Sequence, residues 1–146
     1  MHAAENDVIS IGLLQIRYLR DGSADRTLGM FELIVPPGAK SPPAHSHDNE
    51  EIVYCLEGVL RCAGGGIVRD LHPGDVAYTP GGTIHSFSNP HDRPARVIVT
   101  NAPDIGARYF RDIAEAARNP GGPDPAKISE VMRRYGLTLQ PQAAQA

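Results

Sequence analysis

Glycine and proline break this chain into short runs, which restricts it to a fold of many brief strands and turns. There are 15 glycines and 13 prolines in 146 residues, about one residue in five and well above ordinary usage. The runs between them read as strands, and this pattern argues for an all-β domain. The spacing predicts strands over residues 11–19 and 28–35, split by the polar turn Asp21-Gly22-Ser23. Further strands are expected over 52–56, 59–62, 67–71, 75–79, 83–88 and 95–100. Regular spacing of this kind suits a sandwich or barrel. No internal repeat is visible, so a single barrel is expected. Residues 1–10 read as a flexible arm or an edge strand.

After Pro103 the period changes from strand-like to helical. Ile105, Tyr109, Phe110, Ile113 and Ala117 form an apolar stripe at helical spacing. A helix capped by Asp104 is expected to run to about Arg118. Asp124 and Pro125 then suit the N-cap and first turn of a second helix, with Gly136 as its stop. This places a two-helix tail over 103–139, packed on the outside of the barrel or, as the alternative, forming a lid over its mouth. Residues 140–146 read as disordered. The remaining organisation is an N-terminal arm and first strand over 1–26 and a barrel core over 27–102.

Net charge is −3 and the pI about 6.0, which argues against a basic nucleic-acid footprint. No apolar run approaches the ~20 residues needed to span a bilayer, and the N-terminus lacks signal-peptide character. The chain is therefore expected in the cytoplasm, with no nucleic-acid or membrane partner. Cys55 and Cys62 flank a turn at Glu57-Gly58. A two-residue hairpin there pairs Cys55 with Leu60 and Val53 with Cys62. The thiols then sit diagonally, about 7 Å apart, too far for a disulfide. Both read as reduced, small core residues.

His45-Ser46-His47 puts two imidazoles on one face of a strand, since residues i and i+2 point the same way. Glu51 shares that parity if the strand continues, and can face the same interior from the next strand if the chain bends at Asp48-Asn49; His85 lies in another strand-like run. Three imidazoles and a carboxylate suit a divalent transition metal with positions left open. Glu50 points the other way. His72 and His91 fall in turns, and His2 in the arm.

Two segments extend this pattern. One runs from Gly38 through His45, His47 and Glu51 to Gly58. The other runs from Gly74 through Pro80, Gly82 and His85 to Asn89. They resemble the two motifs of the cupin superfamily, with one extra residue between Gly38 and His45. The resemblance implies a double-stranded β-helix, the cupin jelly-roll barrel. It implies His45, His47, Glu51 and His85 as ligands to one divalent ion per chain (Fe, Mn, Ni, Cu or Zn). It further implies a homodimer, for which the apolar run at residues 8–14 offers an edge that needs covering.

Parity extends the metal-bearing face to Val53, Cys55 and Phe87, with Tyr78 and Phe31 as additional pocket residues. Such a lining suits an apolar or aromatic small-molecule substrate. The first reading is a small oxygenase similar to quercetin-dioxygenase-like small cupins, in which Glu51 would serve as both ligand and base. The alternatives are an oxygen-independent cyclase, isomerase or lyase, and a non-catalytic module that binds a metal or metabolite.

Overall fold

The computed structural model describes residues 7–39 and 43–140. Its strands are β1 (Val8–Ile11), β2 (Leu14–Arg20), β3 (Gly29–Val35), β4 (His45–Ser46), β5 (Glu50–Glu57), β6 (Leu60–Gly64), β7 (Ile67–Leu71), β8 (Val76–Thr79), β9 (His85–Ser88), β10 (Ala95–Ala102) and β11 (Thr138–Leu139). The helices are α1 (Ala107–Ala117) and α2 (Pro125–Arg134), both between β10 and β11. Six strands form one sheet in the order β1-β2-β3-β10-β5-β8, and five form a second in the order β11-β4-β9-β6-β7. Strands adjacent in each sheet pair antiparallel. The expected all-β jelly roll with two C-terminal helices is what the chain adopts.

Alternation fixes which side chains enter the barrel. On β3 and β10 every second residue is buried, as a sheet with one face in a core requires. Pairing lines these residues up in rungs across the larger sheet. One rung is Gly29, Asn101, Glu51 and Thr79; the next is Tyr18, Phe31, Val99, Val53 and Ala77. A third is Ile16, Leu33, Val97 and Cys55. The second and third rungs carry most of the apolar core contributed by this sheet.

Several local expectations change. The run over 11–19 is two strands, because Gly12, at φ +56°, lets the chain reverse so that Ile11 pairs with Leu14. The Cys55–Leu60 hairpin does not form: β5 and β6 belong to different sheets. Gly58 carries the chain between them at φ +70°, and a Cβ there would lie 2.2 Å from the carbonyl oxygen of Pro94. Both thiols are free, as expected.

Asp104 does not cap α1. It is buried, accepting from the Tyr18 hydroxyl at 3.1 Å and the Gly22 amide at 3.1 Å. The first-turn amide of Ala107 instead donates to Asp21 at 3.0 Å, so a carboxylate far away in sequence satisfies a helix-end donor. Asp124 does cap α2, accepting from Ala126.

The tail is not simply packed outside. Phe110 meets Phe31 at a centroid distance of 5.0 Å and Tyr18 at 6.1 Å, so α1 sits against the second rung. After Gly136 the chain adds β11, which pairs with β4 beside His45. The Gln140 amide donates to Ala44 at 2.8 Å, which extends this order to residue 140. Residues 1–6 of the expected arm, residues 40–42 between Gly38 and His45, and residues 141–146 of the expected disordered end lie outside the described residues.

Candidate metal centre and its cavity

The smaller sheet brings His45 and His85 together, because β4 and β9 pair at these two residues. His47 follows β4 on the same parity and is also buried. The three rings have centroids 4.7 to 6.0 Å apart. One ligand nitrogen from each lies within 4.8 Å of the others.

The backbone fixes the tautomer of each ring. Nδ1 of His45 lies 3.2 Å from the Pro43 carbonyl, that of His47 2.9 Å from Asn49, and that of His85 2.8 Å from Thr83. A carbonyl only accepts, so each Nδ1 carries the proton; neutral His45 and His47 are left with a lone pair on Nε2, whereas Nε2 of His85 carries a second proton while it donates to Glu51 and offers a lone pair once that proton is lost. Orienting contacts of this kind set which nitrogen is available to a metal. The donor set therefore fits a divalent transition ion.

Two glycines allow the loops to meet. Gly82 donates its amide to the His47 carbonyl at 2.8 Å. Gly81 packs so closely that a Cβ would lie 2.3 Å from the Asp48 carbonyl oxygen.

Glu51 enters from the other sheet. Its Oε2 is 2.9 Å from His85 Nε2, and its side chain is 16% exposed. Burial disfavours its charge, but the hydrogen bond from His85 and the nearby imidazoles outweigh this and lower its pKa. Burial likewise opposes the charge on His85, and Glu51 outweighs it, so that pKa is raised. Burial dominates at the other two rings: His45 is pushed down to about 4, and His47 is lowered.

These four residues line one end of a cavity of about 110 Å³. Val53, Phe31 and Phe87 line it. Cys55 does not: its Sγ faces the carbonyls of Glu57 and Gly58. Tyr78 is also outside, 55% exposed, with its hydroxyl donating to Glu50 at 2.7 Å. Being next to Thr79 in sequence, it points to the opposite face.

Sequence reasoning missed several wall residues. Cys62 lines the cavity, and burial pushes its thiol up to about 12, so it is a protonated wall residue. Asn101 and Thr79 flank Glu51. Ile105, Tyr109, Phe110 and Ile113 close the cavity from the helical tail. Asn89 is a buried loop clamp, donating to the carbonyls of Val35 and Arg93.

Residues 31–101 match the family described as Cupin domain. The fold is a cupin jelly roll. Among solved structures, an RmlC-like cupin from Shewanella frigidimarina is 22% identical. Its TM-score is 0.61, covering 68% of this chain and 86% of that one. A predicted oxalate decarboxylase from Thermotoga maritima is 21% identical at a TM-score of 0.59, over 69% and 94% of the two chains. A cupin-superfamily sugar phosphate isomerase from Silicibacter pomeroyi is 32% identical at 0.52, over 61% and 60%. No curated protein matches this chain. A cupin jelly roll with three convergent histidines has a group that could hold a metal ion. Among the described residues, no helix is long and apolar enough to cross a membrane.

Proposed function

We propose that this cupin is a metal-dependent enzyme acting on a small apolar or aromatic molecule, most simply an oxygenase of quercetinase-like type. The observation that carries this reading is the placement of one carboxylate and three imidazoles at one end of a mainly apolar cavity. His45, His47 and His85 would hold the ion, with Glu51 as a further ligand. Bound there, the ion supplies Lewis acidity toward a substrate oxygen and, if redox-active, an electron path to O₂.

The protein's own groups do the rest. Glu51 is ionised at neutral pH and faces the cavity, so it can accept the proton of an enol or phenol placed beside it. Phe31, Phe87 and Phe110 exclude water and offer faces to an aromatic ring. The cavity is below the roughly 300–1,000 Å³ usual for drug-sized ligands, which favours a single-ring compound. The apolar wall also disfavours a sugar phosphate. Proton abstraction by Glu51 needs no oxygen, and that favours a second reading as a cyclase, isomerase or lyase.

The test is metal analysis of untagged protein, then oxygen uptake by Fe-, Mn-, Ni-, Cu- and Zn-loaded samples given single-ring phenols and enols. Oxygen consumption coupled to product formation is expected. Equal turnover without oxygen would replace the oxygenase with the second reading. Ligand binding without turnover would leave a non-catalytic binding module.

A further inference from the structure

Asn101 is 1% exposed and lies on the inner face of β10, where it pairs with Glu51 across the sheet. It lines the cavity. Among the described residues, nothing hydrogen-bonds to its side-chain Oδ1, although that atom is fully buried. An unsatisfied buried acceptor costs about 1–3 kcal/mol, and native interiors rarely carry one without a reason. The neighbours in its own column, Val97 and Val99, show that an apolar side chain suits this strand and this parity.

We propose that Asn101 is a substrate-contacting residue, whose carboxamide pairs with a second polar group of the ligand, adjacent to the one held at the histidine end. The proposal rests on the functional reading above and narrows its substrate class. Directly opposed residues on paired strands have Cβ atoms about 4.5–5.5 Å apart. The Asn101 carboxamide and the Glu51 carboxylate are thus neighbours, and the ligand groups they serve are neighbours too. The class this points to is a small ring or enol bearing two vicinal oxygens. Asn101 acts here by specificity, because a carboxamide presents a donor and an acceptor but no proton to transfer.

The test uses the full chain loaded with Zn²⁺, and Asn101→Leu, a change close in shape that removes both polar groups. Asn101→Val is a second variant in case leucine does not fit. Thermal melting without added ligand comes first. A residue kept for a ligand leaves the variant as stable as wild type or more so. A clear loss of stability would make Asn101 structural and overturn the proposal.

Calorimetry with catechol and with phenol comes second. The variant should lose about tenfold in catechol affinity and little in phenol affinity. Equal losses for both, or none, would overturn the assignment of Asn101 and leave the apolar-substrate reading standing. No binding of either compound to the wild type would refute that reading, and the proposal with it.

Discussion

The two ends of the barrel interior are built on the same strands and differ in every property that matters. At one end, Asn101, Glu51 and Thr79 face three histidines. Two rungs away, Leu33, Val97 and Cys55 are 3%, 0% and 0% exposed; Leu33 still borders the cavity, while Val97 and Cys55 make ordinary core. A step of four residues along β5, from Glu51 to Cys55, crosses from chemistry to packing. The far end stabilises the barrel by removing apolar area from water. The near end works against that, because buried polar groups cost free energy unless they are paired. The molecule therefore divides into a rigid half that holds the geometry and a half whose polar groups await partners.

The sharpest way to test this division is at Glu51. In Glu51→Gln protein restored to full metal occupancy, turnover should fall about 10²- to 10⁴-fold, the usual contribution of a positioned base. Near-normal turnover would reduce Glu51 to a ligand and favour activation by the ion alone. The opposite end should respond in stability. Leu33→Ala is expected to cost about 2–5 kcal/mol in denaturant unfolding, while metal stoichiometry in the folded protein stays unchanged. Loss of metal in that variant would show that the two ends are not separable.

His47→Ala should weaken Zn²⁺ affinity by about 100-fold or more, since even an orienting partner of a ligand contributes 10- to 100-fold. Circular dichroism should remain that of the folded barrel. Full occupancy in a protein lacking both His45 and His47 would remove the metal centre from its assigned place.

The smallest effect is on pH dependence. In the metal-free protein His45 titrates near 4 and His47 is also lowered, whereas both take up protons near 6.5 when unfolded. The unfolded state then binds more protons, and stability falls as pH drops from about 6.5 toward 4. His85, raised by Glu51, acts in the opposite sense: its contribution is present below about 6.5 and is lost as pH rises through its folded value. With two rings against one, the denaturation midpoint should be lower at pH 5 than at pH 7.5. An unchanged or higher midpoint would contradict the burial of His45 and His47 as neutral rings.

Much of the site was legible because its signals are local. The two-residue spacing of His45 and His47 places both rings on one face whatever the strand pairs with. The glycine and proline pattern announced the short strands. Carrying the parity on to Glu51 assumes one continuous strand, but β4 stops at Ser46 and Glu51 reaches the same interior from β5 in the other sheet, with Val53 on its own parity. Asn101 was legible in part: it is a polar residue on the inward parity of Val97 and Val99. Ending the strand at residue 100 hid it, and nothing local tells that Glu51 lies opposite.

What only the tertiary structure decided depends on contacts between distant segments. The sequence carries the turn at Gly58, but pairing with β10 and β9 decides that β5 and β6 enter different sheets. Cys55 keeps the right parity and still lies outside the cavity, because depth along a barrel is not encoded in alternation. Asp104 has the composition of a cap, yet Tyr18 and Gly22 claim it and Asp21 takes its place. The apolar stripe of α1 shows that the helix packs on something, and its contact with Phe31 makes that something the cavity. Parity and turn propensity act within a few residues, so sequence determines them; register, sheet membership and closure are set by long-range packing, which only the folded chain resolves.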